Sequence, residues 1–108
     1  MMKTYKFGDV VLIKFPYTNK KAQKKRPALI LNDFNDGDIV VCRITSKIYG
    51  SVFDLNIENW EEVGLKLPSI VRVHKIATLD KNMVDKVIGK INGSLKLNIK
   101  TLISKLAT

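Results

Sequence analysis

Three short stretches of this sequence hold residues able to handle an anion. The first, Lys24-Lys25-Arg26-Pro27, stands where a basic segment meets an apolar run. Arg26 offers a planar fork of donors matched to a phosphate and stays charged at neutral pH, while Pro27 fixes the chain direction beside it. The second, Arg43-Ile44-Thr45-Ser46-Lys47, sets two adjacent hydroxyls between cations. Such a group can hydrogen-bond non-bridging phosphate oxygens or a ribose 2′-hydroxyl. The third is Arg72-Val73-His74. On a strand, residues two apart share a face, so Arg72 and His74 are expected to project together while Val71 and Val73 turn to the core. A cation beside a titratable imidazole combines anion binding with proton transfer. Singly, each stretch also describes something ordinary: a solvated charge run, a Ser/Thr turn, a surface histidine. Together they offer Arg, Lys, His and hydroxyl groups, a set suited to stabilising a phosphorane-like transition state without metal.

Other chemistries lack their residues. One His and one Cys cannot build a Cys–His nucleophilic pair with a second histidine to orient it. Cys42, inside the apolar run Ile39-Val40-Val41-Cys42, reads as a buried inert thiol, and a lone cysteine excludes a disulfide framework or a Cys-based zinc site. There is no Walker-type loop and no G-x-G-x-x-G, and the acidic residues do not cluster at metal-binding spacing. No metal and no other cofactor is therefore expected. Nineteen Lys plus Arg against ten Asp plus Glu give a formal charge of +9. That balance favours a polyanionic partner: nucleic acid, an anionic membrane surface or an acidic protein. No run approaches the ~18 apolar residues of a membrane span, and the N-terminus lacks a signal-peptide core, so a soluble cytoplasmic protein without membrane contact is expected.

The elements that must position these groups follow from hydrophobic periodicity. A length of 108 residues fits one domain, taken as residues 1–108. Gly8-Asp9 reads as a turn, followed by a β-rich run from Val10 to Phe15 that Pro16 stops. Tyr17 to Arg26, with four lysines and no apolar period, is expected as an exposed loop. Pro27 to Leu31, Asp38 to Ile44 (continuously apolar, hence central), Ser51 to Ile57 and Ser69 to Ile76 read as further strands. The period then changes. Asp80 is a plausible N-cap, and Met83, Val84, Val87, Ile88 and Ile91 recur at helical spacing. After an interruption at Asn92-Gly93-Ser94, the residues Ile99, Leu102, Ile103 and Leu106 predict a short terminal helix. The expected architecture is mainly β, a small barrel with a C-terminal helical cap.

In order along the chain, Gly8-Asp9-Val10-Val11-Leu12-Ile13, the basic segment, Lys25-Arg26-Pro27-Ala28-Leu29-Ile30-Leu31 and Ile44-Thr45-Ser46 resemble the MazF/PemK family of type II toxin–antitoxin ribonucleases. Pro68-Ser69-Ile70-Val71-Arg72, Ala77-Thr78-Leu79 and Val87-Ile88-Gly89-Lys90-Ile91 resemble that family's later segments. The resemblance implies an SH3-like barrel, a symmetric homodimer with single-stranded RNA laid across it, and metal-free attack of the 2′-hydroxyl on the adjacent phosphorus. It implies Arg26 as the main catalytic cation, with Thr45 and Ser46 facing the scissile phosphate. Arg72 and His74 fall on the acid–base pair of Kid-like members, with His where those members have Asp. Lys20, Lys21, Lys24, Lys25, Arg43 and Lys47 are then the expected RNA-binding cations, and an acidic antitoxin tail the expected inhibitor. Two other readings use the same fold: a nucleic-acid-binding or regulatory module that does not cleave, and a CcdB-like poison of a protein target. The Arg26/Thr45 combination argues against the last, which has no need of it.

Overall fold

The computed structural model describes residues 3–16 and 23–108. The chain runs β1 (Asp9–Pro16), β2 (Gln23–Asp33), β3 (Asp38–Thr45), β4 (Asp54–Ile57), α1 (Trp60–Val63), β5 (Ser69–Asp80), a 3-10 turn (Lys81–Met83), β6 (Val84–Lys90) and α2 (Gly93–Ile103). All six strands join one antiparallel sheet in the order β4-β5-β3-β2-β1-β6. β3 has neighbours on both sides, as its unbroken apolar run requires.

The expected barrel is not closed by hydrogen bonds, because β4 and β6 end the ladder without pairing to each other. The sheet nevertheless curls, since α1, which follows β4, packs against β6 at the opposite end of the order. Two glycines permit this approach. A Cβ on Gly64 (φ +97°) would lie 2.6 Å from the Ile88 carbonyl oxygen, and one on Gly89 would collide with the Val63 carbonyl. The seam between the two sheet edges is thus a backbone-to-backbone contact that only glycine allows.

Alternation along the strands sorts the apolar residues into two cores. Val10, Leu29, Cys42, Ile44, Val71 and Val73 meet Ile57, Val63, Ile91 and, from α2, Leu95 and Ile99. Val11, Ile13, Ala28, Ile30, Ile39 and Val41 form the other core with Tyr5, Phe15, Leu79, Met83, Val84 and Val87 around them. The buried ion pair Lys81 Nζ–Asp33 Oδ2 (2.8 Å) ties the 3-10 turn to the end of β2. Asp33 also accepts the backbone N–H groups of Tyr5 and Asn35.

Two sequence expectations are corrected. The exposed loop drawn from Tyr17 to Arg26 is too long: β2 begins at Gln23, with Phe15↔Lys24, Lys14↔Lys25 and Ile13↔Arg26 in register. Lysines on an edge-to-centre strand keep their charges in solvent while the backbone pairs, so polarity alone hid the strand. Tyr17 to Ala22, including Lys20 and Lys21, lie outside the described residues. The second correction is larger. Asp80 does cap, its side chain accepting the Asn82 N–H at 2.8 Å, but only for one 3-10 turn, and Val84–Lys90 is a strand instead of a helix. β6 slips register against β1 twice within seven residues, between Val10/Val11 and between Leu12/Ile13. Each slip inserts a residue. That puts Val84 and Val87 on one core and Ile88 and Ile91 on the other, which reproduces a three-and-four spacing without a helix. The terminal helix does exist and starts earlier than the pattern indicated, at Gly93, with the Asn92 side chain accepting the Leu95 N–H at 2.8 Å.

Candidate nucleic-acid interface

Where β2 begins and β3 ends, the curl of the sheet leaves a cleft of about 480 Å³. β2 contributes Lys25, Arg26 and Pro27 to it; β3 and the residue after it contribute Arg43, Ile44, Thr45 and Ser46. The segment after α1 adds Lys66 and Leu67, β5 adds Ser69, and β6 adds Lys86. Five cations and three hydroxyls therefore line it, with no acidic residue among the lining side chains. Four of the lining residues, Arg26, Pro27, Arg43 and Ile44, also wall a second cavity of about 490 Å³, which is apolar through Ile13, Phe15, Val41, Ile76 and Leu79. The Arg26–Arg43 ridge thus separates a cationic cleft from an apolar one.

Local structure explains how each group arrives there. Ala28 and Arg43 are cross-strand partners, so Arg26, two residues before Ala28, and Thr45, two after Arg43, fall on the same face at the strand ends. Pro27 sits in β2 opposite Leu12. Thr45 Oγ1 accepts the Lys47 N–H at 3.2 Å, a turn that directs the chain out of β3 and leaves Ser46 and Lys47 exposed. Among the described residues Arg26, Arg43, Lys66 and Lys86 have no carboxylate partner. Lys25 pairs with Asp85 at 3.1 Å in an exposed contact.

Arg72 and His74 occupy different ground. Arg72 is cross-strand to Arg43 on β3 and to Asp54 on β4. It is 7% exposed, and its Nε donates to Asp54 Oδ1 at 2.9 Å. The Asp54 side chain accepts the Ser51 N–H as well, through Oδ2. The ring of Tyr49 covers the guanidinium, with Cζ 3.7 Å from the ring centroid. β5 bulges after Arg72: Arg43 faces Arg72 and Cys42 faces Ile76, so Val73, His74 and Lys75 swing out of the ladder. Val73 recovers a bond by donating to the Phe53 carbonyl at 3.0 Å. His74 still sits beside Arg72, Nε2 3.5 Å from Nη2, with its ring tilted against Phe53 at 5.6 Å. His74 Nδ1 is buried without a partner. Neither Arg72 nor His74 lines the cleft.

The fold therefore gathers Arg26, Thr45, Ser46, Arg43 and Lys25, and places Arg72, against Tyr49, and His74, against Phe53, one strand away. Lys24 and Lys47 are exposed near the cleft without lining it. Sequence reasoning missed Lys66, Ser69 and Lys86: Lys66 lies in a segment without periodicity, and the patterns around Ser69 and Lys86 indicate elements but not that these side chains meet at the cleft. It also missed Asp54, whose only signal was a lone acid within the stretch Ser51 to Ile57. Cys42 is buried, and burial pushes its thiol up to about 12. Among the described residues no three His, Cys, Asp or Glu side chains could together hold a metal ion, and no helix is long and apolar enough to cross a membrane.

Comparison with known proteins bears on the fold and the family. The chain aligns with solved structures of a Mycobacterium tuberculosis toxin, MazF-mt6 (20% identity, TM-score 0.74, covering 91% of this chain and 94% of that one). It also aligns with a MazE–MazF crystal structure from Deinococcus radiodurans (17%, 0.79, 96% and 96%). A third likeness is to a mycobacterial endoribonuclease in complex with its cognate antitoxin (19%, 0.71, 93% and 91%). At these identities the likeness is one of fold. Among curated proteins none matches the sequence. Residues 6–106 match the family described as PemK-like, MazF-like toxin of type II toxin-antitoxin system, and the chain belongs to that family.

Proposed function

We propose that this protein is the toxin of a type II pair and that it cuts single-stranded RNA without a metal ion. The observation that carries the reading is the acid-free cationic cleft with Arg26, Thr45 and Ser46 at its strand-end lip. In this mechanism the ribose 2′-oxygen attacks the adjacent phosphorus and the bond to the 5′-oxygen breaks, leaving a cyclic phosphate and a 5′-hydroxyl. Charge builds on the non-bridging oxygens, where the Arg26 fork and the two hydroxyls stabilise it. A cleft without carboxylates has nothing to hold a divalent cation there, whereas fixed guanidinium charge does the same electrostatic work. Arg43, Lys66 and Lys86 hold the flanking phosphates, Lys25 joins them when its pair with Asp85 opens, and Lys24 and Lys47 extend the cationic surface; Lys20 and Lys21, outside the described residues, are proposed as further RNA-binding cations. Arg72, fixed by Asp54, holds His74 against itself and out of the cleft, so the imidazole is at most a minor acceptor of the 2′-hydroxyl proton.

Two relatives of this fold are named endoribonucleases, one of them solved with its cognate antitoxin. An acidic antitoxin segment, complementary to +9, would block the same cleft. The active form is a homodimer that presents two such clefts to one RNA strand, and its place of action is the cytoplasm, where that substrate is.

The test incubates the purified chain with a long RNA in EDTA, beside Arg26→Ala. Cleavage leaving 5′-hydroxyl ends, reduced at least about 10²- to 10³-fold by the substitution, is expected. Binding without cleavage by the unsubstituted chain would favour the regulatory reading, and activity restored only by magnesium would overturn the mechanism.

A further inference from the structure

Tyr49 is an aromatic ring with an unusual setting. It lies in the connection between β3 and β4, is 40% exposed, and is surrounded by three cations. Arg72 Cζ is 3.7 Å from the ring centroid, Lys47 Nζ 5.1 Å and Arg43 Cζ 6.0 Å. The three differ in burial. Arg72 is buried and anchored by Asp54, which is itself buried, so it forms a fixed floor beneath the ring. Lys47 and Arg43 are exposed, and Arg43 also lines the cleft beside Thr45.

We propose that Tyr49 is a nucleobase-stacking platform for the nucleotide adjoining the phosphate held at Arg43 and Thr45. This rests on the reading of the cleft as an RNA site and adds to it a subsite for a base. A single-stranded nucleic acid offers one phosphate and one π-face per residue, and proteins meet it with cations interleaved with aromatics. Here the cations capable of meeting phosphate, Arg43 and Lys47, flank a ring whose orientation is already set by Arg72. The ring is therefore ordered before a base arrives, which lowers the cost of ordering it on binding. An acidic peptide would use Arg43 and Lys47 equally well but has no regular π-face for the ring.

The test measures equilibrium binding by the full chain of two oligonucleotides of equal length. One is a 2′-O-methyl RNA, which cannot be cleaved through the 2′-oxygen; the other is a fully abasic strand with the same phosphates. Tyr49→Ala and Tyr49→Leu should weaken the RNA complex by about 5- to 150-fold, the value of one base–aromatic stack. Tyr49→Phe should stay near the wild type, and Tyr49→Trp, with a broader π-face, should bind tighter. Slopes of affinity against salt should not change, and the abasic strand should not distinguish the variants. Equal RNA binding by wild type and Tyr49→Leu overturns the platform while leaving RNA cleavage intact. Equal losses on both strands also overturn it, because the ring would then act only through the cations it touches. A third titration uses poly-glutamate, and loss of that binding alone would place the ring at a protein partner instead. If the wild type binds no RNA at all, the substrate assignment falls and the platform with it. Unchanged thermal melts of Tyr49→Phe and Tyr49→Leu separate any of these from unfolding.

Discussion

The charge arrangement in the cleft makes a quantitative prediction in which two substitutions act in opposite directions. Five cations line the cleft, and one of them, Lys25, is paired with Asp85. Four are left to neutralise phosphates. Each phosphate contact on a single strand contributes about −0.7 to the slope of log affinity against log salt, so four give a slope of about −2.8. Raising salt fourfold, from about 50 to about 200 mM, should then weaken binding about 50-fold. Lys66→Gln removes one contact, bringing the slope to about −2.1 and the loss to about 20-fold. Asp85→Asn frees Lys25. Its pair is half-exposed, 48% on the lysine and 24% on the aspartate side chain. Such contacts contribute only about 0–1 kcal/mol, so the fold should tolerate the change. The slope should steepen to about −3.5 and the loss should grow to about 130-fold. Fluorescence anisotropy with a 2′-O-methyl oligonucleotide over a salt series measures all three. If Lys66→Gln leaves the slope at the wild-type value, Lys66 does not face the strand. If both substitutions move the slope the same way, long-range charge and not the cleft sets affinity.

Other outcomes follow from the same structure. His74→Ala should keep kcat within about tenfold of wild type, since neither ring nitrogen faces the cleft; a loss as large as that of Arg26→Ala, with a vanished limb in the pH–rate profile, would make the imidazole the proton acceptor. Asp33 is held down from 3.8 to about 2 by the hydrogen bond from Lys81, helped by the Tyr5 and Asn35 amides. A carboxyl lowered on folding stabilises the fold above its unfolded value and loses that effect as pH falls, here between about pH 4 and pH 2. The gap in urea midpoint between wild type and Asp33→Asn should therefore shrink across that window, and a constant gap would refute the assignment. Gly89→Ala, whose methyl would meet the Val63 carbonyl, should cost about 1–3 kcal/mol of overpacking in denaturant titrations. An unchanged midpoint would mean that α1 moves freely off β6.

Five of the six strands and the chemical inventory were legible in the sequence because both are local. Val10 to Phe15, Asp38 to Ile44 and Ser69 to Ile76 carry their own apolar patterns, and Arg26-Pro27, Thr45-Ser46 and Cys42 declare their chemistry by residue type. Charge, too, needs only counting. What the sequence could not carry were properties belonging to pairs of segments. Val84, Val87, Ile88 and Ile91 keep helical spacing only because β6 slips twice against β1, and a register slip is decided by the partner strand. Lys66, Lys86 and Ser69 reach the cleft because the sheet curls until α1 meets β6 at two glycines, a contact invisible in either segment alone. Arg72 and His74 were expected on one straight strand face beside the other cations. Only tertiary structure brings Asp54 within 2.9 Å of Arg72 and Tyr49 over it, because a buried guanidinium needs a carboxylate, and the chain supplies one from a strand eighteen residues away.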